Sequence, residues 1–373
     1  MDTNGNFGGG GRPLRIAQIA PLYESVPPKL YGGTERVVSY ITEELVRRGH
    51  EVTLFAAGDS ITAANLAPGC KEALRLQGKP ELGMSLQLAM LAEVFEAGRE
   101  RFDIVHSHID YWSFPFARLA HLPAVSTMHG RLDIPDLHPV YNRFRDAALV
   151  SISDSQRAPL PHMNWVDTVY HGMPRNLLKF NERKGDYLAF IGRISPEKGI
   201  DVAIEVALKS GVPLKIAAKV DAVDREYFAE VIKPLIKPPM IEYIGEIDDA
   251  QKSEFLGGAL ALLFTIDWPE PFGLAMIEAL ACGAPVIARP CGAVPEVIKH
   301  GVTGFLARDV DDLVAAVDKI DSIPREQCRR EFEERFTAEV MIEKYERVYD
   351  RLIGGAEATA PELDLQQASA AAR

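Results

Sequence analysis

The stretch Glu270-Pro-Phe-Gly-Leu-Ala-Met-Ile-Glu278 carries two carboxylates eight positions apart around a Pro-Phe-Gly turn. The run before it, Ala259 to Ile266, is apolar and strand-like, and the run after it, Leu274 to Cys282, is apolar and helix-like. A strand, a glycine-containing turn and a helix N-terminus make a preformed anion site at a sheet end, because the first helical N–H groups point outward without partners. Carboxylates are unwelcome beside an anion. Their presence points to a ligand with hydroxyls to bind as well as phosphates to cradle, and a sugar nucleotide has both. Glu278 falls inside an otherwise apolar helix, so its carboxylate needs a partner. Ribose hydroxyls would serve, and so would an arginine of the fold. An acid/base pair, as in glycoside hydrolysis, is a third reading, and sequence spacing does not measure the separation that would decide it.

A second cluster lies in Ile191-Gly-Arg193-Ile-Ser-Pro-Glu197-Lys198-Gly199, again between a buried strand and a helix. Arg193 and Lys198 put two cations near a helix N-terminus, which suits a diphosphate: Arg binds bidentately and Lys gives a point charge. The plainer reading is a solvated turn whose charges pair with Glu197. Tyr31-Gly-Gly33-Thr34-Glu35 opens the first helix, and its glycines allow close backbone approach to a ligand or simply a tight loop with Thr34 as N-cap. His106-Ser-His108 and Thr127-Met-His129-Gly130 end two successive strands. Histidines there would face a cleft and hydrogen-bond substrate or developing charge. A zinc site is the rival, without an evident third ligand. Gly292-Ala293, within Pro290 to Glu296, either shapes a turn or lies against the ligand.

These residues need a scaffold that brings strand ends together. The first half alternates strands and helices: Arg15–Ala20, Thr34–Arg48 (helix, stopped by Gly49), Glu51–Ala56, Met84–Arg99 (helix), Asp103–Ser107, Ala124–Met128, Ala147–Ser153 and Val166–Tyr170. Residues 58 to 83 have no clear periodicity. The second half repeats the pattern, with strands at Tyr187–Ile191, Pro213–Lys219, Ile241–Ile244 and Pro285–Ala288 and helices at Ile200–Ser210, Asp249–Gly257 and Asp311–Ile320. Strands alternating with helices imply two doubly wound α/β domains with parallel sheets, meeting across a cleft lined by strand carboxyl ends. The expected division is a leader at 1–13, a first domain at 14–175, a second at 176–337, a late amphipathic helix near 338–353, and a disordered tail at 354–373.

At 373 residues the chain holds ample core, and 47% apolar with 25% charged residues is ordinary for a globular protein. A net charge of −12 argues against a nucleic-acid surface. Four scattered cysteines form no metal or disulfide pattern. The Gly-rich start is no signal peptide, and no run of about 18 apolar residues spans a membrane. The expectation is a cytoplasmic chain, with peripheral membrane contact and oligomeric state left open.

Taken in order, the Gly33 loop, the Arg193–Lys198 segment, Glu270 to Glu278 and the run Pro285–Glu296–Gly304 resemble retaining glycosyltransferases of family 4, which have the GT-B fold. The resemblance covers about Leu14 to Ile353, and its most specific element is the pair Glu270/Glu278. It implies that Arg193 and Lys198 hold the donor diphosphate with the Gly33 backbone, and that Glu278 binds the ribose diol. Glu270 would bind hydroxyls of the transferred sugar, and Phe272, Gly273 and Leu274 would offer backbone amides to sugar or phosphate. His129 would stand near the anomeric carbon with His108 close by. The late helix would cross back onto the first domain. Arg193, Lys198, His129 and Glu270 are then the catalytic set, the donor is a nucleoside-diphosphate sugar (UDP before GDP or ADP), and no cofactor or metal is needed. Tyr111 and Trp112 stack on an acceptor sugar or belong to the core. The rivals are a GT-B epimerase or phosphorylase-like enzyme and a non-enzymatic sugar- or nucleotide-binding protein.

Overall fold

The computed structural model describes residues 12–29 and 32–359. The leader's Gly8 to Gly11, Leu30 and Tyr31 of the first loop, and residues 360–373 lie outside the described residues. Two all-parallel sheets organise the chain. The first contains β1 (Arg15–Ile19), β2 (Glu51–Ala57), β3 (Asn65–Cys70), β4 (Ile104–Ser107), β5 (Ala124–Thr127), β6 (Leu149–Ser151) and β7 (Trp165–Thr168), in the order β3-β2-β1-β4-β5-β6-β7. The second contains β8 (Leu188–Arg193), β9 (Leu214–Lys219), β10 (Ile241–Gly245), β11 (Ala261–Phe264), β12 (Val286–Ala288) and β13 (Gly304–Leu306), in the order β10-β9-β8-β11-β12-β13. The inner strands are apolar because helices cover both faces: Ile16, Ala17 and Ile19 of β1 and Leu262 of β11 have no exposed surface.

In each sheet the strand order reverses once, between β1 and β4 and between β8 and β11. At such a switch point the flanking connections leave in opposite directions and open a crevice at the carboxyl ends. The Gly33 loop follows β1 and His108 follows β4; Lys198 follows β8 and Glu270 follows β11. The topology therefore brings all four segments to crevices.

The stretch that lacked periodicity holds β3, a half-exposed edge strand with Pro68 and Gly69 in it. A sheet edge tolerates both residues, which is why its pattern is weak. The helix Arg325–Arg335 was also not evident in the sequence. It is overwhelmingly polar, and Cys328 and Phe332 are the apolar residues on its buried face. The first long helix starts at Gly33, with Gly32 as N-cap and no side-chain cap, so Thr34 does not cap it. Gly32 is pressed against its own loop: a Cβ there would lie 2.8 Å from Pro28 Cβ.

The last helix runs Ala338–Thr359, through residues expected to be tail. Extending an existing helix is far cheaper than starting one, which carries it across the poor helix formers Gly354 and Gly355 to the strong formers that follow. It packs on the first sheet's helices and strand ends. Arg48 bridges to Glu346 at 2.8 Å, and the hydroxyls of Tyr345 and Tyr349 reach Thr127 and His106 at 2.9 and 2.7 Å. The chain thus passes twice between the sheets, and the two passages touch. Met173 N–H donates to Phe336 O at 3.0 Å and Ala338 N–H donates to Met173 O at 2.9 Å. A Cβ on Gly172 would lie 2.2 Å from the Thr337 carbonyl oxygen. Backbone on both sides cannot yield as a side chain can, so Gly172→Ala is expected to cost about 1–3 kcal/mol, the usual scale of overpacking. Urea unfolding measures this, and an unchanged midpoint would show that the crossing is slack.

Candidate active site

A cleft of about 710 Å³ is lined from both sheets, by Gly33, Glu35 and His129 on one side and Arg193, Lys198 and Glu270 on the other. That volume suits a ligand of nucleotide-sugar size. Two helix N-termini open into it. The helix Gly33–Arg47 begins behind Gly32, the helix Leu274–Ala281 begins behind Gly273, and neither has a side-chain cap. Their first N–H groups and the positive ends of their dipoles are left for an anion. The two ends are close: a Cβ on Gly33 would lie 3.9 Å from Leu274 Cδ1.

Lys198 and Glu270 meet inside the cleft, Nζ to Oε2 at 2.7 Å. Trp268 Nε1–H donates to the same oxygen at 2.9 Å, and its ring lies 4.6 Å from the ammonium. Glu270 is held from behind. Ala293 N–H donates to its carbonyl oxygen at 2.9 Å, and a Cβ on Gly292 would fall 2.3 Å from its backbone N and O. Gly292, at φ 59°, is required there for close approach as much as for its left-handed backbone. Gly292 and Ala293 thus position Glu270 and do not line the cleft.

Glu278 finds its partner in Lys252, at 2.6 Å. Lys252 also reaches Asp249 at 3.2 Å, and Asp249 takes the guanidinium of Arg36 from the first sheet's side. Asp248 is the N-cap of the helix Asp249–Gly257 in a reciprocal capping box with Gln251. Arg193 donates to Glu197 and lies 3.8 and 3.7 Å from Asp221 and Asp224. The turn pairing with Glu197 and the cleft position therefore coexist.

The histidines form the first sheet's wall. His129 lines the cleft, with His171 stacked on it at 5.2 Å between ring centroids. His108 is buried one hydrogen bond further in, its Nδ1 2.9 Å from His129 Nε2. Tyr111 and Trp112 stack on each other and pack into the apolar clusters around Tyr141 and Phe95, away from the cleft lining. Of the residues singled out in the sequence, Gly33, His129, Arg193, Lys198, Glu270, Phe272, Gly273, Leu274 and Glu278 share the cleft, and His108, Tyr111 and Trp112 do not. Among the described residues no group of three or more His, Cys, Asp or Glu is placed to hold a metal ion.

Lys252, Trp268 and His171 were missed. His171-Gly172 repeats the His129-Gly130 pattern after a strand and was legible. Nothing in the sequence links Lys252 to Glu278. Glu35, in the Gly-Gly-Thr-Glu loop, is buried, and burial pushes its carboxyl up to about 7. Burial drives the imidazoles the other way. His106 falls to about 3, and His108 and His171 fall well below their ordinary value, burial again acting first.

These neutral imidazoles tie stability to pH. Their folded values lie below the unfolded one, so the unfolded state takes up more protons as pH falls. The contribution is full above the ordinary imidazole value and is lost on the way down to the folded values. Unfolding free energy is expected to drop by up to about 1.4 kcal/mol per pH unit for each fully buried imidazole between about pH 6.5 and pH 5. Urea midpoints across that interval check it, and a flat profile would contradict buried neutral histidines.

Known proteins resemble this chain in sequence and in fold. Residues 176–339 match the family described as Glycosyl transferases group 1, and residues 31–170 match Glycosyltransferase Family 4. The N-acetyl-alpha-D-glucosaminyl L-malate synthase of Bacillus anthracis is 24% identical over 363 residues, covering 85% of this chain and 93% of that one. The D-inositol 3-phosphate glycosyltransferase of Mycolicibacterium paratuberculosis is 28% identical, covering 75% of each. Among solved structures, Anabaena HepE in complex with UDP superposes with a TM-score of 0.71 at 18% identity, over 91% of this chain and 100% of that one.

Proposed function

We propose, from the premise that the chain belongs to glycosyltransferase family 4 and has its GT-B fold, that it transfers a hexose-type sugar from a nucleoside-diphosphate sugar to a hydroxyl acceptor with retention at the anomeric carbon. The observation that carries the reading is the shared cleft, where Lys198, Glu270 and Glu278 stand beside two uncapped helix N-termini. Arg193, Lys198 and the Gly33 amide hold the diphosphate. Glu278 takes the ribose diol, and Glu270 takes hydroxyls of the transferred sugar. UDP is the favoured nucleotide, supported by the UDP complex of HepE.

In the reaction the bond between the anomeric carbon and the phosphate oxygen breaks, and its electron pair leaves with the diphosphate. The acceptor oxygen bonds to the same face of that carbon, and its proton passes to the leaving phosphate. Negative charge therefore grows on the phosphate, where fixed cations and helix dipoles stabilise it without reorganising. His129 faces the positive charge that grows on the sugar. Closure of the cleft keeps water from that centre.

Released UDP, GDP or ADP, assayed over a panel of acceptors, identifies the donor. Lys198→Ala is expected to lower kcat by about 100- to 1000-fold, the scale of one lost preorganised donor. Glu278→Gln is expected to weaken nucleotide binding chiefly. Unchanged turnover in both variants, with native circular dichroism, would sink the site assignment. Tight nucleotide binding without diphosphate release would make the chain a binding protein.

A further inference from the structure

Seven polar side chains form one hydrogen-bonded chain from the last helix to the cleft. Thr127 Oγ1 lies 2.9 Å from the Tyr345 hydroxyl and 2.7 Å from His106 Nε2. His106 Nδ1 lies 2.7 Å from the Tyr349 hydroxyl. Gln18 Nε2 donates to that hydroxyl at 3.3 Å, and Gln18 Oε1 lies 2.8 Å from His108 Nε2. His108 Nδ1 lies 2.9 Å from His129 Nε2. Gln18, Thr127, His106, His108, Tyr345 and Tyr349 are all buried.

A neutral imidazole has one N–H and one lone pair, so fixing one link fixes the next. Gln18 Oε1 has no proton to give, and His108 Nε2 must donate to it. His108 Nδ1 then bears a lone pair and accepts from His129 Nε2–H. The other arm agrees. Gln18 Nε2 lies 3.4 Å from His106 Nδ1 as well as near the Tyr349 oxygen, and because it can only donate, that nitrogen is the acceptor that takes the Tyr349 proton. His106 Nε2–H donates to Thr127, and the Thr127 hydroxyl donates to Tyr345. The polarity is consistent from end to end. What remains is His129 Nδ1, which is buried, has no partner within the protein, and belongs to a residue of the cleft wall.

We propose that this chain locks His129 in the Nε2–H tautomer and presents its Nδ1 lone pair to the bound sugar, with Gln18 as the positioning residue that sets the direction. A lone pair accepts a hydrogen bond from a sugar hydroxyl, and its negative end favours positive charge growing on the anomeric carbon. An N–H at the same place would oppose that charge. The catalytic consequence rests on the transfer reaction proposed above; the tautomer does not.

The test is the imidazole nitrogen spectrum of the ¹⁵N-histidine-labelled full chain, with His129 assigned by its loss in His129→Asn. Nδ1 is expected in the unprotonated range and Nε2 in the protonated range. Gln18→Leu removes the acceptor that orients His108. It is expected to mix the two His129 tautomers and lower kcat roughly 10- to 100-fold, by analogy with the loss seen when the hydrogen-bond partner that orients a metal-bound histidine is removed. Donor KM should hold within about twofold, since His129 acts on the growing charge more than on the ground state. Gln18→Glu keeps an acceptor oxygen toward His108 and is expected to restore both the tautomer and most of kcat. A protonated Nδ1 in the wild-type spectrum overturns the proposal, and so does an unchanged tautomer in Gln18→Leu. Should Gln18→Leu not fold, the wild-type spectrum alone decides. A wild-type chain without transferase activity would defeat the proposed function and leave the nitrogen spectrum to decide the tautomer.

Discussion

The site depends on two lysine–carboxylate pairs, half-buried Lys198 with buried Glu270 and half-buried Lys252 with buried Glu278. Each carboxylate alone would be a desolvated charge beside an anion site, and each lysine alone would be a desolvated cation. Together they are tolerable, though not a source of net stability: breaking such a pair costs about 3–5 kcal/mol, and an apolar pair of like size would often fold as well. Their value lies in what the ligand finds. On the proposed function the cations would already be fixed when a diphosphate arrives, and the carboxylates would keep lone pairs for hydroxyls. Pairing is what lets one cleft offer opposite charges side by side.

The fold supplies the convergence. Both sheets reverse strand order once, and both place a helix start at the reversal. Local packing then sets each residue finely. Thr265 Oγ1 donates to the Gly199 carbonyl at 2.7 Å, tying the Lys198 turn to the end of β11. Gly292 and Ala293 clamp the Glu270 backbone from behind. The network Arg36–Asp249–Lys252–Glu278 spans from one half of the chain to the other.

Much of this was legible in the sequence because buried parallel strands are apolar runs and glycine turns mark their ends. The helix Asp249–Gly257 falls where its pattern places it, and the segments around Lys198 and Glu270 lie beside each other as the sheet rule requires. What was illegible has physical causes. The edge strand β3 has little apolar alternation because none of its residues is buried and Pro68 and Gly69 interrupt it. The helix Arg325–Arg335 buries too few apolar side chains to show a stripe. Lys252 and Trp268 became visible only through distances, since a partner across the fold leaves no mark on spacing. His106 and His108 read as ligand contacts and are instead interior links, because a histidine at a strand end can turn inward when hydroxyls and an amide are there to meet it.

The last helix has a consequence for how the chain is made. The strands of the first sheet are complete by Thr168, yet the hydroxyls that satisfy His106 and Thr127 belong to Tyr345 and Tyr349. During synthesis, when N-terminal units ordinarily fold first, this half has its sheet but not its closing helix. It waits, with the tyrosine partners of His106 and Thr127 missing and an apolar flank uncovered, while the whole second half is translated. A helix translated after the whole second half is therefore what seals the half that precedes it.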